Sequence, residues 1–139
     1  VFEDDCEIIK GKEIFHDIMN KAIEQLPENY LMFFIGGQPT GGYSSFYSNN
    51  LLPVIKYYST QSVCYSKRGI KEILQRGMEY PIDNWYVDVI QPLGNCYAVD
   101  PILTTQREGY SDIGKNEINW TPFIVAKHQQ EINKLRSRW

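Results

Sequence analysis

Residues 30–35 of the chain read YLMFFI, and two glycines follow them. A short run of large apolar side chains without polar alternation is typical of a strand that is buried on both faces. Upstream, apolar residues recur every three or four positions from Glu13 to Leu26, which predicts an amphipathic helix that ends near Pro27. A helix followed by a doubly buried strand favours an α/β fold with a parallel or mixed sheet.

Length and composition predict one folded domain. The chain has 139 residues, of which 42% are hydrophobic and 22% charged, close to the averages of globular domains. A net charge of −3 gives no overall field that attracts nucleic acid, so no nucleic-acid partner is expected. No apolar window approaches the ~18 residues that span a bilayer. Three widely spaced cysteines without metal-site spacing are typical of a reducing compartment, which predicts a cytoplasmic location.

Periodicity predicts further elements along the chain. The predicted strands are residues 61–65 and 96–99, and the predicted helices are residues 67–76, 81–90 and 121–139. In the helix at 67–76, Ile70, Ile73 and Leu74 are expected to face inward. Residues 36–50, rich in Gly, Pro, Ser and Asn, are predicted to form a long functional loop, and residues 104–119 an irregular segment.

Three consecutive carboxylates, Glu3, Asp4 and Asp5, follow the apolar pair Val1 and Phe2, which is predicted to end a strand. Alternate side chains of an extended segment share a face, so Glu3 and Asp5 are expected to point the same way and Asp4 the other. Crowded like charges need a cation to offset their repulsion, and Mn²⁺ and Mg²⁺ prefer oxygen ligands. The pattern predicts a divalent-metal site at Glu3 and Asp5. The alternative is a solvated acidic turn near the first helix.

The opening stretch VFEDD resembles the hydrophobic-Glu-Asp-Asp motif of the family 25 glycosyltransferases, which include lipopolysaccharide and procollagen galactosyltransferases. Four more segments are similar to family motifs and occur in the family's order. These are YLMFFIG at 30–36, SVCYSKRGI at 62–70, PID at 81–83, and DPIL at 100–103 with Gln106 and the Ser-Asp-Ile of 111–113. The resemblance covers about residues 1–113.

This resemblance implies a GT-A fold, a mixed sheet flanked by helices. Residues 1–120 would be the acceptor-side portion of the domain, preceded by a nucleotide-binding half, and residues 121–139 a C-terminal basic amphipathic helix. The implied activity is metal-dependent, inverting transfer of a hexose from a nucleotide sugar, with UDP as the expected nucleotide. The implied partners are that donor and a saccharide, lipid-linked or glycoprotein acceptor. The basic helix is suited to peripheral membrane contact, although its charges also complement the helix dipole.

Site residues follow from the resemblance and from the chemistry of transfer. Glu3 and Asp5 are assigned to the Mn²⁺ or Mg²⁺ cofactor, and Asp4 to the donor nucleotide. Asp112 is expected to approach the donor or the metal, and its alternative is the cap of a turn. Asp83 is assigned as the base that takes the proton of the acceptor hydroxyl. The alternative for Asp83 is a helix N-cap.

Aromatic and histidine side chains have less specific signals. Trp85 is expected either to stack on a sugar or to lie in the core. Tyr43, Phe46 and Tyr47 form either an acceptor platform or the packing of their own loop. His16 and His128 have no second His or Cys nearby, so no catalytic role is expected. The rival functions are a non-catalytic carbohydrate-binding or scaffold domain of the same fold, and a hydrolase that pairs Asp83 with an acidic-cluster carboxylate.

Overall fold

The computed structural model describes residues 1–111 and 116–138. Its strands are β1 (Cys6–Ile8), β2 (Met32–Phe34), β3 (Gln38–Tyr43), β4 (Leu51–Tyr58), β5 (Val63–Tyr65), β6 (Cys96–Val99), β7 (Thr104–Gln106), β8 (Gly109–Ser111) and β9 (Asn116–Ile118). Its α-helices are α1 (Lys12–Gln25), α2 (Lys67–Arg76), α3 (Ile82–Trp85) and α4 (Thr121–Arg136). A π-helical turn (Tyr86–Ile90) and a 3₁₀ turn (Gln91–Leu93) continue α3.

The central sheet has five strands in the order β3-β4-β6-β2-β5. Strand β2 is parallel to β6 and antiparallel to β5, and β4 is antiparallel to both β6 and β3. Two small antiparallel pairs, β1 with β7 and β8 with β9, lie outside this sheet. The sheet is mixed and helices accompany it, which confirms the predicted α/β class.

Strand β2 is buried on both faces, as its apolar run predicts. Met32 and Phe34 belong to a core cluster with Trp85 and Ile132, whereas Phe33 belongs to a second cluster that includes Ala22. Successive side chains of a strand point to opposite faces, so β2 contributes to two cores at once. Helix α1 covers one face of the sheet, and α3 and α4 cover the other.

Helix α2 has the predicted bounds, but its predicted orientation is wrong for two residues. Ile73 is half-buried against the core, whereas Ile70 and Leu74 are 46% and 77% exposed. The reason is Gly69, which is fully buried because the helix approaches the sheet there. A Cβ at that position would overlap the carbonyl oxygen of Leu31. The close contact at a glycine turns the larger apolar side chains toward solvent.

The prediction of a long loop at residues 36–50 is wrong for its first half, which forms the edge strand β3. Its sequence, QPTGGY, lacks the β-branched residues that usually indicate a strand. An edge strand tolerates Pro39 because one of its sides needs no ladder hydrogen bond. Gly42 has φ of +77° at an irregularity in the β3–β4 register, a conformation that favours glycine.

Residues 104–119 are also more regular than predicted, since β7 and the β8–β9 pair lie within them. Residues 81–90 are helical as predicted, although only the first turn after Pro81 is α-helical.

The last helix begins at Thr121, where the pattern predicts it, and Trp120 occupies the N-cap position. Ile124, His128, Ile132 and Leu135 are buried and recur at helical spacing, so this stripe packs against the protein. No helix in the described ranges is both long and apolar enough to cross a bilayer.

Candidate functional site

A cleft of about 490 Å³ brings together side chains that are far apart in the sequence. Its walls come from the N-terminal acidic segment, β3, the end of β4, the start of α3, the end of β7 and the residue before α4. The side chains that these elements contribute include Glu3, Gln38, Tyr58, Asp83, Gln106 and Trp120. The cavity that these residues line is called the cleft below.

Backbone hydrogen bonds hold the acidic segment beside the start of β5. The Glu3 amide donates to the Gln61 carbonyl at 2.9 Å, and the Val63 amide donates to the Val1 carbonyl at 3.0 Å. The Glu3 carboxylate accepts a 2.6 Å hydrogen bond from the Thr60 hydroxyl, which also lies in the cleft. Glu3 is therefore a positioned carboxylate and not a freely moving surface charge.

Asp5 is half-buried, and one of its oxygens is unusual. Its Oδ2 accepts a 3.3 Å hydrogen bond from Nε2 of Gln106, and its carbonyl accepts from the Arg107 amide at 2.7 Å. Its Oδ1 is buried and has no hydrogen-bond partner among the described residues. A buried carboxylate oxygen without a partner is costly, so a cation that reached this atom would relieve an unfavourable interaction. Asp4 is exposed. The Cys6 amide donates to the Glu3 carbonyl at 3.1 Å, so residues 3–6 form a turn. The predicted alternation of an extended segment is therefore wrong, and the acidic turn that was its alternative is what the structure shows.

Glu3 and Asp5 are the predicted ligands of a divalent cation, and two carboxylates would hold such a cation only if it took part of its coordination from a substrate. Within residues 1–111 and 116–138, no three Asp, Glu, His or Cys side chains form a metal-binding group. Mg²⁺ sites commonly use one or two carboxylates and complete their coordination with water and substrate phosphates. The unpaired oxygen of Asp5 and the carboxylate of Glu3 match that donor set. The assignment of these two residues to a metal stays a prediction.

Asp83 lies in the first turn of α3 and lines the same cleft as Glu3. Its Oδ1 accepts a 2.8 Å hydrogen bond from the Asn84 amide. The N-cap position belongs to Pro81, and no side chain caps this helix, so the N-cap interpretation of Asp83 is wrong. The carboxylate is half-buried and is held by the backbone of a short, rigid element.

Other candidate residues lie elsewhere. Trp85 is 2% exposed in the core, so of its two interpretations the core one is correct. Tyr43 is buried, whereas Phe46 and Tyr47 are exposed on the connection between β3 and β4. None of these aromatic residues lines the described part of the cleft. Asp112 lies outside the described residues.

Two aromatic residues of the cleft, Tyr58 and Trp120, were not anticipated from sequence. Trp120 stands between the β8–β9 pair and α4, and its ring makes an edge-on contact with Phe123. The Thr121 hydroxyl donates to the Gln106 carbonyl at 3.3 Å, which holds the start of α4 beside β7. The sequence signal that could have identified Trp120 is a tryptophan directly before a Thr-Pro helix start. The position of Trp120 in the cleft, however, depends on β7 and β9, which were not predicted.

A second polar cluster is buried between α4 and the sheet. Nδ1 of His128 lies 2.6 Å from the Tyr43 hydroxyl, and Nε2 lies 2.9 Å from Oδ1 of Asp100. The side-chain amide Nδ2 of Asn50 donates to the Asp100 carbonyl at 3.0 Å. Burial raises the pKa of the Tyr43 phenol well above its usual value. These four residues are called the buried network below, and they connect α4 to β3 and to the end of β6.

No family model, curated protein or solved structure matches this chain. Its function is therefore inferred from the cleft and from the sequence motifs that meet there.

Proposed function

We propose that the chain is the acceptor-side part of a GT-A glycosyltransferase. In this proposal it transfers a hexose from a UDP-sugar to a hydroxyl of a glycan, a lipid-linked saccharide or a protein. The observation that carries the proposal is that Glu3, Asp83 and Gln106 line one cleft although they belong to three separate motifs. The resemblance to the family 25 enzymes is independent of this geometry, because it uses the order of the motifs along the chain.

The charge of the cleft supports a metal-dependent reaction. Two of its residues are acidic, and none of the described residues that line it is basic. A nucleotide diphosphate would be repelled by these carboxylates, because like charges a few ångströms apart are unfavourable. A divalent cation at Glu3 and Asp5 would offset the charge of the departing diphosphate. The unpaired Oδ1 of Asp5 supports this position.

Asp83 is proposed to be the general base. A sugar hydroxyl is a weak nucleophile at neutral pH, so its proton must be removed as its oxygen attacks. Asp83 accepts that proton while the hydroxyl oxygen bonds to the anomeric carbon. The bond from that carbon to the diphosphate breaks, and its electron pair leaves with the phosphate oxygen. Attack on the face opposite the leaving group inverts the anomeric configuration.

The proposal is tested on the full-length protein with UDP-glucose and UDP-galactose, each with a pool of methyl glycosides as acceptors. The measurements are the release of UDP and the appearance of disaccharide. We expect both to require Mn²⁺ or Mg²⁺ and to stop on chelation with EDTA. The proposal is overturned if the protein binds the glycosides but neither binds nor turns over either UDP-hexose. That result would favour a carbohydrate-binding domain. Sugar release without an acceptor product would instead favour a hydrolase.

A further inference from the structure

Trp120 is a partly exposed aromatic residue whose backbone is anchored to α4 and whose ring contacts Phe123. Its side chain lines the cleft and is 37% exposed. Its carbonyl accepts a 2.9 Å hydrogen bond from the Ile124 amide, which anchors it to the first turn of α4. The Phe123 ring lies 6.1 Å from the Trp120 ring at an interplanar angle of 69°. An aromatic surface held in this way loses little conformational freedom when a ligand packs against it.

The cleft combines apolar surface with hydrogen-bonding groups. Ile82, Ile118 and Tyr58 extend the apolar surface of Trp120, and the side-chain amides of Gln38 and Gln106 lie among them. Amide and carboxylate groups exchange hydrogen bonds with hydroxyl groups, and an aromatic face packs against C–H groups. A pyranose ring presents both kinds of surface, with C–H groups on its faces and hydroxyls at its edge. The composition of the cleft therefore matches a sugar ring.

The charges of the cleft limit the chemical class of sugar that it can bind. Glu3 and Asp83 are acidic, and Lys, Arg and His are absent from the lining contributed by the described residues. In the metal-free cleft, an acidic sugar would place its carboxylate near two others without a cationic partner, which is unfavourable in a partly desolvated site. An uncharged sugar has no such cost.

We propose that Trp120 is the stacking platform of the acceptor subsite and that this subsite selects uncharged pyranosides over acidic ones. The inference rests on the proposed function, since it assigns the acceptor side of the same cleft. It adds a specificity-determining residue, Trp120, and a chemical class of acceptor. Trp120 contacts the sugar ring, and Glu3 and Asp83 discriminate against acidic sugars.

Direct binding tests the platform without requiring turnover. The full-length protein is titrated by saturation-transfer NMR with methyl β-glucoside, methyl β-galactoside and methyl β-glucuronide, in EDTA so that no cation offsets the charge of Glu3. We expect at least one uncharged glycoside to bind about tenfold or more tightly than the glucuronide. Trp120→Ala weakens its binding by about tenfold, whereas Trp120→Phe keeps most of it. The control is Phe46→Ala, which removes an exposed aromatic ring outside the described lining of the cleft.

Two results overturn the inference. One is a Trp120→Ala variant that is folded by circular dichroism and binds the uncharged glycoside as the wild type does. The other is equal binding of the glucuronide. Glu3→Gln tests the charge argument separately. Because this variant removes one negative charge, it should reduce the difference in affinity between the glucoside and the glucuronide.

Transfer kinetics with UDP-hexose and the acceptor glycoside separate this inference from the proposed function. We expect the KM for the acceptor glycoside to rise in Trp120→Ala and to stay at the wild-type value in Phe46→Ala. If the wild type turns over no UDP-hexose but binds glycosides through Trp120, the proposed function fails and the platform stands. If transfer occurs and is insensitive to Trp120→Ala, the platform fails and the proposed function stands.

Discussion

The cleft and the buried network contain similar residue types, but they differ in how their polar atoms are paired. In the buried network, both ring nitrogens of His128 have partners, Tyr43 on one side and Asp100 on the other. In the acidic segment that borders the cleft, Asp5 has a buried oxygen without a partner among the described residues. In the cleft itself, Asp83 accepts a hydrogen bond from the adjacent backbone. Paired buried groups contribute to stability, whereas unpaired ones are available to bind a ligand.

This difference teaches which cluster to assign to stability and which to chemistry. A histidine between a tyrosine and an aspartate resembles a catalytic arrangement when only residue types are considered. Because His128 is buried and both of its ring nitrogens have partners, its role is structural: it links α4 to the sheet. Substitutions in the cleft should therefore lower activity without changing stability. Substitutions in the buried network should lower stability without changing the activity per folded molecule.

The largest expected effect is that of Asp5→Ala. Removing this carboxylate should lower metal-dependent transfer by at least ~10³-fold, since charge stabilisation by a bound cation contributes several kcal/mol to the transition state. The measurement is the rate of UDP release at saturating Mn²⁺ and donor. The matched control is Glu7→Ala, which removes an exposed carboxylate two residues away. Comparable losses in both variants would contradict the special role of Asp5.

Asp83→Asn should lower kcat by about 10²- to 10⁴-fold, the usual contribution of a general base. The amide keeps the size of the side chain but cannot take the acceptor proton. UDP affinity, measured by calorimetry, should be unchanged. Asp88→Asn is the control, because Asp88 is an exposed acid of the same helical segment and lies outside the described lining of the cleft. An Asp83→Asn enzyme with wild-type kcat would remove Asp83 from the mechanism.

For the buried network, His128→Ala should lower the free energy of unfolding by about 2–3 kcal/mol, because it leaves Tyr43 and Asp100 without their partner. Urea denaturation measures this loss, and transfer per folded molecule should stay the same. The control is His16→Ala on α1, where the side chain is exposed and a change within ~0.5 kcal/mol is expected. A His128→Ala protein of normal stability but reduced kcat would reverse the assignment of the two clusters.

The smallest expected effect belongs to Glu131, a buried residue of α4 whose carboxylate lies 2.8 Å from Lys134 and 3.1 Å from Lys127. Burial raises the pKa of Glu131, but the hydrogen bonds and positive charges of the two lysines outweigh it and hold the pKa below its ordinary value. Its contribution to stability is therefore present above the ordinary pKa and is lost as the pH falls through the folded-state pKa.

Urea denaturation of the wild type and of Glu131→Gln tests this sign. The wild type should be more stable by about 0.5–1 kcal/mol at pH 7, and the difference should shrink below the ordinary glutamate pKa. A difference that grows on acidification would contradict the role of the lysines.

The elements that were predicted correctly are those whose pattern reflects burial directly. Three features belong to this group: the apolar run that contains β2, the helical period of α1 and the start of α4. Each depends on which side chains enter the core, and the pattern of apolar residues in the sequence identifies those side chains. Strand β3 was missed because its stability comes from pairing with β4, and its QPTGGY sequence carries little intrinsic preference for a strand. The inward orientation of Ile70 and Leu74 was wrong because a close backbone contact at Gly69 overrides the helical pattern.

The cleft was predictable in part. Asp83 followed from the family resemblance. The expected alternation of Glu3, Asp4 and Asp5 assumed an extended chain, whereas residues 3–6 form a turn. Trp120 was not found, because its position depends on how β7 and β9 place the start of α4 beside the acidic segment. His128 carried no sequence signal for its partners, which lie 28 and 85 residues away.

The most direct test of the central claim is the calorimetric affinity of the full-length protein for UDP with and without Mn²⁺. If Asp5 and Glu3 hold a cation that offsets the charge of the diphosphate, Mn²⁺ should strengthen UDP binding by at least about tenfold, or ~1.4 kcal/mol. The same titration of Asp5→Ala should show no such gain. Equal UDP affinity in the presence and absence of Mn²⁺ in the wild type would contradict the claim.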